Sequence, residues 1–404
     1  TLWHTLSLHD ALPILFWVTP LVLWLGTDGL VAPVVAFLVS LPLLAVHAAT
    51  AVRHIPEYEH DVFAVYAPRP VVVARELYLP HLLPAVKSNI HLGLLVSIKA
   101  SMLAEWFAAQ DGFGRTIRIH YQFFAMTEFV GWALLFLVVI GGVSFGVRAM
   151  LSRALPARRA TDTSRLRRES RPTPAELEEQ SRGHRIIPPG REREVRPLEV
   201  RELSFGYGRE PLFTGVSLSA EPGRPLVLTG ESGCGKTTLL KCIAGIVRPW
   251  SGMVGTPKPV GLVFQEDALL EHRDALGNVL LPSMPTFTAD DVERAIAALE
   301  LWGLSGHSEK FPSELSGGMR KRLSMARAWY FAPSVLLLDE PFVNLDREAR
   351  MALWELLLER LTEAAVPAVI VTHYPEEIHG YDIDVIPWRD LTAAPPSPVH
   401  SRGR

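Results

Sequence analysis

The sequence predicts two fold classes in one chain: an all-α part built from long apolar helices, then an α/β part with a parallel sheet. Three observations carry this. Four apolar runs fill the first third of the 404 residues. From residue 197 onward, short β-type runs alternate with helix-type patterns. A glycine-rich octapeptide, Gly230-Glu231-Ser232-Gly233-Cys234-Gly235-Lys236-Thr237, sits between a strand-type and a helix-type run. Hydrophobic residues make up 48% of the chain, high for a protein that lives only in water, and the length suits two or three domains. The net charge of -3 excludes no class of partner, because the charge is unevenly spread.

Residues 1–10 are polar, with His4 and His9 and no basic n-region, so they do not read as a signal peptide. The chain starts at Thr1 rather than Met, and this stretch is left unassigned as a possible junction or the edge of a fragment. The apolar runs lie at about 11–25, 30–52, 84–109 and 129–147. The first is short and interrupted by Pro13 and Pro20. The other three approach the roughly 20 residues that cross a bilayer, so residues 11–150 are predicted to be a transmembrane helical domain. Arg53, Arg69 and Arg75 lie between the second and third runs, with Lys87 at the end of that segment where the third begins, and Arg148, Arg153, Arg158, Arg159, Arg165, Arg167, Arg168 and Arg171 follow the fourth. Positive-inside bias puts both segments in the cytoplasm. The stretch 110–127 then reads as an outward-facing loop, with Trp106, Tyr121 and Trp132 near that interface.

Residues 151–196 are rich in Arg, Glu, Pro and Ser, too polar to bury a core, and read as a flexible linker beside the membrane. The tail 391–404, with Pro395, Pro396 and Pro398, reads as disordered. The two cysteines, Cys234 and Cys242, lie at or just after the octapeptide, so they read as small reduced thiols in a cytosolic domain.

The α/β part, 197–390, carries the chemistry. Pro225–Thr229 is a strand-type run that ends at Gly230, and the apolar spacing after Lys236 is helical. That is the setting of a phosphate loop, in which backbone N–H groups and a helix N-terminus surround the phosphates. Lys236 is placed to neutralise the β and γ phosphates and Thr237 to ligate Mg²⁺. The run Val335–Leu338 delivers Asp339 and Glu340 to a strand end, Asp339 for the metal and Glu340 as the base that polarises the attacking water. Ser316-Gly317-Gly318, before a helical run from Met319, makes a second helix start suited to an anion; a simple helix cap is the alternative for Ser316.

These motifs, together with Leu315–Met319 between the two phosphate-site elements, resemble the ATP-binding cassette family over roughly 197–390. The resemblance implies ATP and Mg²⁺ as cofactors and gives further residues roles. Tyr207 stacks on adenine, and the loop Gly230–Thr237 with Thr238 holds the phosphates. Gln265 senses Mg²⁺ and the attacking water. Ser316, Gly317 and Gly318 close on the γ-phosphate of the opposite subunit, Asp346 in the loop after the acidic pair also contacts ATP, and His373 is the switch histidine. Three positions depart from the family pattern: Tyr374 replaces the usual Asp, Asn344 a small residue, and Glu271-His272 a Pro-Trp pair.

In the first part, Asp61, Ala67 and the ending Leu77-Tyr78-Leu79-Pro80 resemble, in degraded form, the cytoplasmic coupling loop of binding-protein-dependent importer permeases. Ala104–Phe107 with Asp111–Gly114 resembles a span of nitrate, sulfonate and taurine permeases. The resemblance implies a type I importer permease, present in part and fused to its ATPase. It works as a homodimer or with a homologous half-transporter, in the bacterial inner membrane, with an extracytoplasmic solute-binding protein and no nucleic acid. An exporter, or an ATPase without transport, is the alternative. Lys99 and Glu105, costly in lipid, should face a helix interface or the solute path; either role stays open.

Overall fold

A computed structural model describes residues 31–66, 69–108, 111–154, 196–378 and 381–392. They fall into two compact units. Residues 31–55 and 78–154 belong to the first, and residues 56–77 and 196–392 to the second. The first apolar run, most of the linker and all but the start of the tail lie outside the described residues.

The first unit is helical. Helix α1 (Val31–Arg53) and helix α3 (Leu79–Ala108) cover the second and third apolar runs, and α5 (Met126–Ala154) covers the fourth. At 1.5 Å per residue, 23 and 30 residues give about 35 and 45 Å. Within α5, Met126–Met150 is the one stretch among the described residues long and apolar enough to cross a membrane, by length and composition. Leu137, Val138 and Phe145 on it are exposed in the structure. The predicted loop 110–127 is corrected: it contains a ten-residue helix, α4 (Phe113–Gln122). Glu105 explains its start, since its Oε2 accepts a hydrogen bond from the Gly114 N–H at 3.0 Å and so caps one of the orphan donors of the first turn. Arg118 donates to the Trp106 carbonyl at 2.6 Å, and the Phe113 ring meets Trp132 edge-on at 5.8 Å. Glu105 thus serves a structural contact inside this unit.

The second unit contains two sheets. Strands β1 (Leu198–Tyr207), β2 (Glu210–Ala220) and β4 (Ser251–Gly255) form an antiparallel sheet ordered β2-β1-β4. Strands β3 (Leu226–Thr229), β5 (Val260–Val263), β6 (Val335–Asp339), β7 (Ala368–Val371) and β8 (Asp384–Pro387) form a parallel sheet ordered β5-β6-β7-β3-β8. Every residue of β6 and β7 is buried, as expected for parallel strands covered on both faces, which read as unbroken apolar runs. Helices α8 (Ala289–Leu301), α9 (Gly317–Tyr330) and α10 (Arg347–Glu363) bury their apolar sides in one cluster with β6 and β7, where Trp354 meets Phe342 edge-on at 4.7 Å. Helix α8 starts on a capping box between Thr288 and Asp291. A last helix, α11 (Trp388–Thr392), runs two residues beyond the predicted end of the domain.

Residues 56–77 lie between α1 and α3 in the chain but belong to the second unit. Helix α2 (Glu57–Tyr66) buries Val62, Phe63 and Tyr66 there. A turn at Pro70–Val72 then runs into wide π-helical turns over Val73–Tyr78, which bury Glu76 and Leu77.

The loop before α7 (Ala275–Val279) is stitched by one side chain. Asn278, fully buried, accepts from the Leu270 N–H at 2.7 Å and donates to the carbonyls of Leu270, Arg273 and Asp274 at 3.1, 3.2 and 3.0 Å. Asn278→Ala should therefore cost about 2–4 kcal/mol, since it leaves several buried backbone groups without partners. Urea unfolding of the full chain in detergent checks this, with the midpoint expected to fall at unchanged slope.

Candidate functional site

The site is assembled by neighbouring strands of the parallel sheet. Strands β3, β7 and β6 lie side by side, with Leu228 opposite Val371 and Val371 opposite Asp339. The three chains therefore leave the sheet at the same edge: Gly230–Thr237 after β3, Glu340 after β6, and Thr372-His373 after β7. The Glu340 N–H donates to the Val371 carbonyl at 2.9 Å, so the exit from β6 is pinned to its neighbour.

The octapeptide folds as a nest before helix α6 (Lys236–Ala244). Gly235 has φ +110°, which calls for glycine, and a Cβ there would sit tightly against Phe213 at 3.1 Å and Leu212 at 3.2 Å. Lys236 is buried, with Nζ donating to the carbonyls of Gly230 and Glu231 at 2.8 and 2.7 Å. Glu231, Ser232, Gly233 and Thr237 are exposed, which leaves the loop open to a ligand, while Cys234 is half-buried and Thr238 buried. Backbone N–H groups at a helix start with a lysine beside them suit a polyphosphate. Tyr207 ends β1 with its ring exposed and its hydroxyl 3.5 Å from Thr238 Oγ1. The second thiol, Cys242, is buried, and burial pushes it up to about 11; it is an inert core group.

Asp339 is buried at the end of β6. Burial raises its carboxyl above the usual carboxylate range, opposed by a hydrogen bond with Thr237 and by the charges of Lys236 and Lys241. Its Oδ1 has no hydrogen-bond partner. A buried carboxylate oxygen left bare beside a threonine hydroxyl is the donor set of a hard divalent cation that also takes phosphate oxygens. The residues present therefore fit Mg²⁺, held by Thr237 and Asp339 with Gln265 as the third predicted ligand. Gln265 itself is exposed, just past β5.

Glu340 has φ +44°, an uncommon conformation for a residue with a side chain. Its Oε1 lies 2.9 Å from His373 Nε2, so the predicted base and switch histidine form a single pair. Ser316 caps α9, its Oγ accepting from the Met319 N–H at 3.3 Å. Ser316 and Gly317 are exposed, leaving that helix start open. Asp346 caps α10, accepting from the Ala349 N–H at 2.9 Å, a contact that occupies one carboxylate oxygen in structure.

Two clusters went unseen in the sequence. Asp267, two residues after Gln265, bonds Arg320 Nε at 2.9 Å and Lys321 Nζ at 3.2 Å on the first turns of α9. Lys321 Nζ also donates to the Gln265 carbonyl, and Ser324 to that of Asp267. The loop after β5 is thus fastened to the helix that Ser316 starts. The second cluster involves residues 56–77. Asp61 pairs with Lys241 of α6 at 2.7 Å. Glu76, 2% exposed, takes Arg273 as a fork, Nε to Oε2 at 2.8 Å and Nη2 to Oε1 at 2.6 Å, with His272 Nε2 at 3.1 Å. Although burial alone would raise the Glu76 carboxyl, the bonds from His272 and Arg273 outweigh it and hold the group at about 2. Of the other predicted loop residues, Ala67 lies outside the described residues, and Leu79 and Pro80 begin α3 in the first unit. Asp61 and Leu77 of that set belong to the second unit, where Asp61 is paired and Leu77 buried. Glu76, the better-buried acid, had no local signal because its partners are 196 and 197 residues away.

Comparison with known proteins gives consistent matches. A family profile described as "ABC transporter" matches residues 213–343. An aliphatic sulfonates import ATP-binding protein of Rhodococcus jostii is 42% identical over 186 residues, 45% of this chain and 74% of the relative. A taurine import ATP-binding protein of Pseudomonas fluorescens is 39% identical over 201 residues, 47% of this chain and 76% of the relative. An Fe(3+) ions import ATP-binding protein of Rhizobium meliloti is 36% identical over 211 residues, 49% of this chain and 60% of the relative. Among solved structures, a dimeric bacterial ABC transporter cassette aligns at 25% identity with a TM-score of 0.43, covering 47% of this chain and 94% of that one.

The Glu76 carboxylate makes docking of residues 56–77 pH-dependent. Its folded value, about 2, lies below the usual 4.5. The stabilisation is therefore complete above about pH 4.5 and is lost as pH falls toward 2. Proteolysis of the full chain between α1 and α3 is expected to accelerate over that window, and Glu76→Gln to flatten this dependence.

Proposed function

The chain belongs to the ABC transporter family, as an ATPase that binds ATP and hydrolyses it to drive transport, and we propose that it is a fused half-importer. The observation that carries this is the segment 56–77, which lies between two long apolar helices in sequence yet packs as part of the ATPase unit. Its acids, Glu76 buried and Asp61 part-buried, meet bases on the loop after β5 and on α6, which supports a path for strain from the membrane part to the nucleotide site. The exposed apolar surface of Met126–Met150 supports a bilayer-spanning role for this part. About four spans, the bacterial inner membrane, and a cytoplasmic ATPase are the corresponding topology. The solute class that the sulfonate and taurine relatives favour is a small organic or inorganic anion, delivered by an extracytoplasmic binding protein.

In the chemical step, the loop Gly230–Thr237 holds the phosphates by backbone N–H groups, with Lys236 leaving its carbonyl partners to meet the β and γ oxygens. Tyr207 offers a face to adenine. Bound Mg²⁺ supplies charge neutralisation at the phosphates. Glu340 orients the attacking water and accepts its proton, and the His373 imidazole, 2.9 Å away, fixes that carboxylate and reaches the γ-phosphate. Ser316, Gly317 and Gly318 of a second copy complete the pocket, as the family resemblance implies; their exposed helix start suits an anion.

The test is turnover of the full chain in liposomes with candidate solute-binding proteins. A loaded binding protein should raise ATP hydrolysis severalfold, and Glu340→Gln should keep ATP binding while lowering turnover by about 10²–10⁴-fold. Hydrolysis that no binding protein stimulates would overturn import, and substantial turnover in Glu340→Gln would overturn the base.

A further inference from the structure

We propose that Glu76, His272 and Arg273 form a charge lock that decides which membrane-borne segment this ATPase accepts: a helical segment bearing a carboxylate at this point. This rests on the reading of residues 56–77 as the coupling segment and goes beyond it, because docking alone needs no buried charge. Val62, Phe63, Val72 and Leu77 already provide apolar burial.

Three features point to selection rather than adhesion. Both carboxylate oxygens of Glu76 are engaged by the Arg273 fork, and His272 adds a second donor to Oε2. Arg273 is itself 9% exposed, and its carbonyl is held by Asn278 at 3.2 Å, so its backbone is fixed by contacts within the ATPase, independent of Glu76. The geometry is thus that of a basic side chain on a braced backbone meeting a buried acid. A buried ion pair gains little over an apolar pair of the same shape, but removing one partner leaves an uncompensated buried charge. Such a pair discriminates strongly while stabilising weakly. An apolar or basic side chain at position 76 would strand Arg273 in a dry site. The second ion pair, Asp61–Lys241, has side chains 13% and 22% exposed, so water relieves a mismatch there more readily and Glu76 carries most of the selection.

The experiment is a charge-swap cycle in the full chain in lipid nanodiscs, read by hydrogen exchange of the amides of α2 and of residues 73–77. Glu76→Arg and Arg273→Glu should each speed exchange by about a hundredfold, while the two together restore it to within about threefold. Glu76→Met should be costly with Arg273 present and nearly silent beside Arg273→Met. Glu76→Gln gives a milder step in the same direction, and unchanged exchange in β6 and β7 shows that the ATPase remains folded. Additive single effects, or a Glu76→Met penalty that persists beside Arg273→Met, would overturn the lock. A chain that no binding protein stimulates would defeat the import reading and leave this cycle interpretable.

Discussion

The nucleotide site depends on the parallel adjacency of β3, β7 and β6. In a parallel sheet, all chains leave by the same edge, so three segments far apart in sequence arrive together without any long loop. The register, Leu228 against Val371 and Val371 against Asp339, sets the phosphate loop, Asp339-Glu340 and His373 level with one another. A slip of one residue would turn Asp339 to the opposite face and separate Glu340 from His373. Complete burial of β6 and β7 is what makes such a slip costly.

A second constraint builds on the first. The loop after β5 is held at both ends of its course: Asp267 bonds Arg320 and Lys321 on α9, and Asn278 stitches residues 270–274. Gln265, the start of α9 and Arg273 are therefore parts of one braced loop. Arg350 plays a similar part on the other side. It forks onto Glu377 at 2.7 Å through both Nε and Nη2, donates to the Leu345 carbonyl at 2.9 Å, and lies 4.7 Å over the Tyr374 ring. Tyr374, a departure from the family pattern, thus has a packing role beside the histidine.

Much of this was legible in the sequence because phosphate chemistry is local. Gly230–Thr237 must supply glycines, a lysine and a hydroxyl within eight positions, and Asp339-Glu340 must end an apolar strand, so residue type and spacing suffice. The long apolar helices were legible because unbroken apolar runs mark them in the sequence, and among the described residues Met126–Met150 has the length and composition to cross about 30 Å of hydrocarbon. What the sequence hid is pairing at a distance. Glu76 and Arg273 are 197 residues apart, and nothing near Glu76 marks it as buried rather than as one more cytoplasmic charge. Helix α4 was hidden because its start relies on Glu105 from another helix in place of a local cap. The bond of Asp346 to Ala349 adds a structural duty to a residue predicted only for ligand contact.

The central claim, that ATP is held between two copies, is tested most directly by complementation. One full chain carries Lys236→Ala and the other Ser316→Arg, and each alone should be inactive. Co-assembled in one bilayer, a mixed pair has one site with both substitutions and one with neither. Shared sites predict that single-turnover hydrolysis of labelled ATP returns to about a quarter of the wild-type amplitude for random pairing of two equal pools. If the mixture stays as inactive as its components, each chain completes its own pocket and the account is wrong.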